Sequence, residues 1–154
     1  MFLQNAISKR INDNNPVKVA LIGAGKFGSM FLSQVPSTLG IEVLVIADLK
    51  PDNAVKACKN VGWSDDLINK TKFVDRGTDA IKLNEVEVVI EATGFPAAGI
   101  EHARQAFQNG KHIIMVNVEA DVLAGAALAK EANSADVVYS MAYGDQPALT
   151  AEIV

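Results

Sequence analysis

The stretch Val17-Lys-Val-Ala-Leu-Ile-Gly23-Ala-Gly25-Lys-Phe-Gly28-Ser-Met30 constrains this chain more than any other. A short apolar run enters a G-x-G-x-x-G loop and leaves as an apolar helix, the order of elements in a dinucleotide-binding βαβ unit. Each glycine has its own physical task. Gly23 lets the backbone turn sharply off the strand, Gly25 removes a Cβ so that a pyrophosphate can approach the main chain, and Gly28 lets the helix pack close to the sheet. The first amides of that helix have no intrahelical partner, and the helix dipole adds partial positive charge there. The loop is therefore an anion site by construction.

Glycine-rich turns are common, so the context decides. Ile41-Glu-Val-Leu-Val-Ile-Ala47 reads as a second buried strand, and it ends in Asp48, about twenty residues beyond the last glycine, where the fingerprint wants an acid. Further apolar runs, Val86 to Glu91, His112 to Val116 and Val137 to Ser140, read as strands, with Lys72 to Asp75 as a fainter third one. Helical spacing runs over Lys26 to Gln34, Pro51 to Asn60, Pro96 to Asn109 and Asp121 to Ala132, and Gly110 supplies a stop. A helix-like segment, Ala6 to Asn12, precedes the polar break at Asn12-Asp-Asn-Asn-Pro16, so residues 1–15 form a short helical prelude.

Strands that read as continuous apolar runs are buried on both faces, the pattern of a parallel sheet. Right-handed crossovers then favour a Rossmann-type, doubly wound α/β sheet in the order 3-2-1-4-5-6 with helices on both faces. The 154 residues fit one such domain. With 49% hydrophobic and 21% charged residues the chain has a globular composition.

Ligands of such sheets bind beyond the carboxyl ends of the strands, which singles out the residues there. Asp48 can accept hydrogen bonds from the adenosine ribose and would repel a 2′-phosphate, which points to NAD. Lys50, two residues on, could pair with that phosphate if Asp48 turned away, so NADP stays open. A cap on the helix starting near Pro51 is the structural alternative for Asp48. Lys26 at the helix start opposes the dipole unless an anion is present, and is otherwise a solvated surface lysine.

Ala92, Thr93 and Gly94 follow the fourth strand, where small residues let the nicotinamide half lie against the backbone. Thr93 could also cap the helix that starts at Pro96. Asn117 could bind the nicotinamide carboxamide or its ribose, or cap the next helix. Glu119 and Asp121 read more simply as first-turn acids, although Glu119 is the best candidate in the chain for a catalytic acid or base. Asp145, in Gly144-Asp-Gln-Pro147, reads as an N-cap after the sixth strand.

Several classes are disfavoured. The net charge of −4, without a Lys/Arg cluster, gives no footprint for nucleic acid or an anionic membrane. No run approaches the ~20 apolar residues of a bilayer span, and the N-terminus lacks a signal-peptide layout, so the cytoplasm is the expected location. Cys58 is the only cysteine, which rules out an internal disulfide, and it reads as a small buried apolar side chain. His102 and His112 lack ligand spacing to one another, so no metal site is expected.

Four segments together resemble a known group: Gly23-Ala-Gly25-Lys-Phe-Gly28, Glu91-Ala-Thr-Gly94, Met115-Val-Asn-Val-Glu-Ala-Asp121 and Gly144-Asp-Gln-Pro147. They are similar to the N-terminal NAD(P)-binding domain of homoserine-dehydrogenase-like oxidoreductases, in the branch whose longer members carry a SAF-type domain. That branch includes the 1-deoxy-D-xylulose 5-phosphate reductoisomerase-like enzymes.

The resemblance implies pyrophosphate contacts from Gly23, Ala24, Gly25, Lys26, Phe27 and Gly28, ribose contacts from Asp48 and Lys50, and nicotinamide-side contacts from Ala92, Thr93, Gly94 and Asn117. It implies an NAD- or NADP-dependent hydride transfer to or from a carbonyl or hydroxyl substrate. The substrate and dimerisation domain is expected beyond Val154, with a homo-oligomer as the expected assembly and this chain inactive alone. True homoserine dehydrogenases usually carry an Asn-Lys pair where Val118 and Glu119 follow Asn117 here, so homoserine itself is not the expected substrate. The competing class is a nucleotide-sensing regulatory protein without catalysis.

Overall fold

Val17–Ile22 forms β1, with its last four residues buried, and Ile41–Ala47 forms β2 beside it. Lys26–Gln34, between them, is α2, and Pro51–Asn60 after β2 is α3. Those four elements coincide with the spans expected from sequence. The computed structural model describes residues 2–142, so the expected features at Gly144–Pro147, Asp145 included, lie outside the described residues.

The remaining elements are α1 (Phe2–Asn12), α4 (Asp65–Lys70), β3 (Lys72–Val74), α5 (Gly77–Ile81), β4 (Val88–Glu91), α6 (Pro96–Gln108), β5 (His112–Met115), α7 (Val118–Ser134) and β6 (Tyr139–Met141). All six strands pair in parallel in the order β3-β2-β1-β4-β5-β6, the doubly wound order expected. α4 and α5 had no counterpart in the sequence reading. The fourth strand starts two residues later than expected, the sixth is displaced to Tyr139–Met141, and α7 starts at Val118 because Asn117 caps it.

Side-chain alternation along the strands feeds two cores. Val19 and Leu21 of β1 pack with Leu32 of α2, Ala54 and Cys58 of α3, Trp63 and Ile68. Ala20 and Ile22 face the opposite way, toward Ala80 and Ile81 of α5, Ala103 and Phe107 of α6, and Leu128 of α7. β2 carries a register shift: Val19 pairs with Val43 but Ala20 pairs with Val45, so Leu44 is an extra residue. A one-residue insertion reverses side-chain parity beyond it. Ile46 and Ala47 therefore face opposite cores in step with Leu21 and Ile22, and the shift fixes the parity with which the chain reaches Asp48.

Two long-range polar contacts tie down the periphery. The Trp63 indole N–H donates to the Leu32 carbonyl at 2.8 Å inside the α2/α3 layer. The Arg10 guanidinium of α1 donates to both Glu87 carboxylate oxygens at 2.7 and 2.9 Å. Partial burial raises the Glu87 pKa, but the Lys18 amide and the Arg10 guanidinium outweigh it and hold the carboxyl below its ordinary range.

Cys58 is fully buried, and desolvation pushes its thiol up to about 11 against a smaller opposing backbone hydrogen bond. Only the thiolate is nucleophilic. The native protein is accordingly expected to leave Cys58 unmodified by an aromatic disulfide reagent at pH 8, with one thiol released on denaturation; prompt reaction of the native chain would contradict this burial.

Candidate functional site

The carboxyl ends of β1 to β4 converge on a cleft of about 600 Å³, within the 300–1,000 Å³ range of small-molecule sites. Gly23 and Gly25 form one wall, Asp48 and Leu49 another, and Asp75 to Thr78 the third. Ala92, Thr93 and Phe95 after β4, with Ala98, Glu101 and His102 of α6, complete it. The cleft straddles β1 and β4, the pair at which the strand order reverses. That reversal is the expected ligand position in an open α/β sheet.

The glycines separate into distinct physical cases. Gly23 has φ of +96°, and a Cβ there would lie 2.7 Å from the Ala92 carbonyl oxygen of β4's exit. A Cβ on Gly28 would lie 2.2 Å from the Gly23 carbonyl oxygen, so Gly28 makes room first for the loop's own backbone and only then, at 3.6 Å, for Leu21 of the sheet. Gly25 has nothing within 4 Å of its missing Cβ. Of the three glycines of the loop, Gly25 alone leaves open space at its missing Cβ, a cradle no protein atom fills.

Gly25 is the N-cap of α2, without a side-chain cap. Among the described residues, the backbone amides of Lys26, Phe27 and Gly28 have no acceptor, as at any uncapped helix start. The Ala24 amide is different, because it donates to Asp48 Oδ2 at 3.1 Å. Lys26 and Phe27 are exposed at the same end of α2.

Asp48 is held on both oxygens. Oδ1 accepts the Lys50 amide at 3.0 Å while Oδ2 accepts that of Ala24. The cap of α3 is Lys50 with no side-chain bond, so the alternative role of Asp48 as that helix's cap is not what the backbone uses. The Lys50 side chain is exposed and does not line the cleft.

Beyond β4 the chain makes a tight polar turn. Thr93 Oγ1 donates to Glu91 Oε1 at 2.6 Å and accepts the Phe95 amide at 3.3 Å. Phe95, not Thr93, is the N-cap of α6, so the expected Thr93 cap is replaced by a turn that closes one residue earlier. Gly94 has φ of +69° within it. Asn117 is 1% exposed: Oδ1 accepts the Ala120 amide at 3.1 Å as the α7 cap, and Nδ2 donates to the Phe95 carbonyl at 3.0 Å and toward Thr93 Oγ1 at 3.4 Å. Its cap role is thus formed, and its amide braces the Thr93 turn from behind.

Glu119 is exposed in the first turn of α7 and does not line the cleft. Asp121 accepts the Tyr139 hydroxyl at 2.6 Å; burial, followed by this bond and the Asp121 charge, raises the Tyr139 pKa.

Sequence reasoning passed over one buried group at this site. Glu91, the last residue of β4, is 0% exposed, and His102 of α6 lies with Nδ1 3.1 Å from its Oε1. Glu91 was visible only as a strand end and His102 only as an isolated histidine. The one available hint was the rarity of an acid closing an apolar strand that must be buried.

A parallel sheet in this order, with a glycine loop at its switch point and an acid closing β2, defines a Rossmann-type dinucleotide-binding domain. The profile of the homoserine dehydrogenase NAD-binding domain matches residues 23–141, and the chain belongs to that family. Solved structures share the fold at low identity. A homoserine dehydrogenase from Thiobacillus denitrificans is 21% identical with a TM-score of 0.69, covering 82% of this chain and 29% of that one. The myo-inositol dehydrogenase of Lactobacillus casei, solved with NAD(H) and myo-inositol, is 18% identical with a TM-score of 0.69, covering 90% and 41%. A homoserine dehydrogenase from S. aureus is 17% identical with a TM-score of 0.61, covering 82% and 32%. The chain thus spans less than half the length of these proteins. No curated protein matches its sequence. No helix among the described residues is long and apolar enough to cross a membrane.

Proposed function

We propose that this domain binds NAD(H) as the cofactor half of an oxidoreductase, in which hydride passes between nicotinamide and a carbonyl or hydroxyl substrate held by a further domain. The observation that carries this reading is the space at Gly25 that no protein atom fills, beside amides without acceptors and opposite a carboxylate pinned in place. A pyrophosphate fits the donor set of residues 25–28, with Gly23, Ala24 and Gly28 shaping the loop and Lys26 and Phe27 at its rim. Asp48 takes the adenosine ribose. Ala92, Thr93 and Gly94 face the nicotinamide half, and Asn117 supports that turn through the Phe95 carbonyl. The cofactor supplies the hydride chemistry; the chain supplies orientation and electrostatics. Glu119, exposed in the first turn of α7 and outside the cleft lining, is the proposed acid or base, acting on substrate brought by the second domain. That domain is also where the reading places the homo-oligomer contacts.

Asp48 also argues for NAD over NADP. Its carboxylate cannot turn away from the ribose without leaving the Ala24 and Lys50 amides unpaired, so a 2′-phosphate meets a fixed negative charge. Calorimetric titration with NADH and NADPH side by side tests both points. NADH is expected to bind at least about tenfold more tightly, one charge-assisted hydrogen bond's worth. An Asp48→Ala chain is expected to lose most of that preference. Binding of neither cofactor sinks the reading, and tighter NADPH binding sinks the role of Asp48.

A further inference from the structure

The buried Glu91 carboxylate is an anomaly that cofactor binding as described does not use. Among the described residues no lysine or arginine reaches it; its partners are the Thr93 hydroxyl and His102 Nδ1, both on Oε1, while Oε2 is buried without a partner. Leaving a buried acceptor bare is unfavourable, so its retention calls for a physical explanation.

The hydrogen directions follow from Thr93. Its Oγ1 accepts N–H groups from Phe95 and Asn117, so its own hydrogen points to Glu91, and Oε1 is an acceptor. As a carboxylate Glu91 can only accept, so the ring nitrogen facing Oε1 carries a hydrogen. In the neutral imidazole this leaves His102 Nε2 as a bare acceptor, the tautomer set by the carboxylate.

Nε2 has no hydrogen-bond partner among the described residues, and His102 lines the cleft while only 9% exposed. The ring cannot move freely. A Cβ on Gly77 would come within 2.5 Å of Nε2 and 2.9 Å of Ile22 Cγ2, so the imidazole is seated against the start of α5 and the end of β1. This places it in the cleft between the Gly23 turn and the β3–α5 loop, on the Asp48 side of the site. No residue of β5 or α7 lines that cleft.

We infer that His102, held by Glu91, is a cofactor-binding residue whose Nε2 accepts a hydrogen bond from the adenosine half of the dinucleotide, either a ribose hydroxyl or the exocyclic amine. This rests on the dinucleotide reading above. Glu91 is a positioning residue: through Oε1 it fixes the imidazole on one side and the Thr93 turn on the other, so one carboxylate aligns both halves of the site.

Two substitutions divide the ring's functions. His102→Asn keeps an amide N–H near the Nδ1 position, facing Glu91, and removes the cleft-facing acceptor. His102→Gln carries an amide out to the Nε2 position. His102→Asn is expected to melt close to wild type and to bind NAD and AMP about five- to tenfold more weakly, with nicotinamide mononucleotide unaffected. His102→Gln is expected to restore much of the AMP affinity. Inosine monophosphate, which lacks the amine, identifies the donor: an equal loss for it assigns the ribose hydroxyl, and a loss confined to AMP assigns the amine.

Unchanged AMP binding by His102→Asn, or equal losses for AMP and nicotinamide mononucleotide, would overturn the inference while leaving the dinucleotide reading intact. Failure of the wild-type chain to bind NAD or AMP would overturn both. A readout on the wild type guards against misfolded variants: in a long-range 1H–15N spectrum the His102 Nε2 resonance is expected to move on adding AMP and to stay put with nicotinamide mononucleotide. A resonance indifferent to AMP would count against the contact.

Discussion

A Gly25→Val chain is expected to fold and melt nearly as the wild type does and to lose NADH affinity by at least about a hundredfold. Gly25 lies at the start of α2 with φ of −71°, and no atom stands within 4 Å of where its Cβ would be. Replacing glycine by valine at an N-cap costs roughly 1 kcal/mol at most, a few degrees of melting temperature for a domain this size. The same side chain occupies the space through which, in the proposed function, a pyrophosphate reaches the amides. Two charge-assisted hydrogen bonds denied at about 1.5 kcal/mol each amount to roughly a hundredfold. Thermal melting and a calorimetric titration on one preparation decide it. Tight binding by this variant would remove the glycine loop as the pyrophosphate site.

The parts of the fold legible in the sequence were those with local causes. β1 and β2 are unbroken apolar runs, α2 follows from the glycine loop, and α3 is fixed by Pro51 at its first turn. α4 and α5 span only six and five residues, too short for a helical period to register. A cap signal did exist for α4, since Ser64 accepts the Leu67 amide at 3.3 Å and acids follow it. The extra residue at Leu44 left no mark, because Val43, Val45 and Ile46 around it are all apolar and either register reads alike.

The site divides the same way. The glycines and Asp48 are separated by a spacing the βαβ unit dictates, so their meeting at Ala24 could be anticipated from one dimension. Glu91 and His102 sit eleven residues apart on different elements, and only the docking of α6 on the sheet brings them to 3.1 Å. Asn117 shows why a cap and a ligand contact are hard to separate by residue type. The same amide serves the α7 start, a local role readable from the sequence, and the Phe95 carbonyl, a partner that became visible only with the β4 and β5 ends placed side by side.

Gly28→Ala is expected to fail in the opposite manner, losing fold stability rather than a ligand contact. Its new methyl would stand 2.2 Å from the Gly23 carbonyl oxygen, a backbone atom with no rotamer to change. Gly23 has little room to yield: its φ is +96°, its amide donates to the Ala47 carbonyl at 2.8 Å, and it lies so close to β4's exit that even a Cβ on it would meet the Ala92 carbonyl oxygen at 2.7 Å. Relief must come from α2 lifting away from the sheet, which strips contacts from Leu32 at the centre of one core. Overpacking of this kind costs about 3 kcal/mol or more when the neighbour is rigid, or roughly 10 °C in melting temperature. Far-ultraviolet circular dichroism during heating measures it, and an unshifted midpoint would mean that the loop adapts in a way its backbone geometry forbids. Against Gly25→Val, the result separates two demands on one short loop: Gly28 answers to the chain's own carbonyl, and Gly25, in the proposed function, to a group that is not part of the chain.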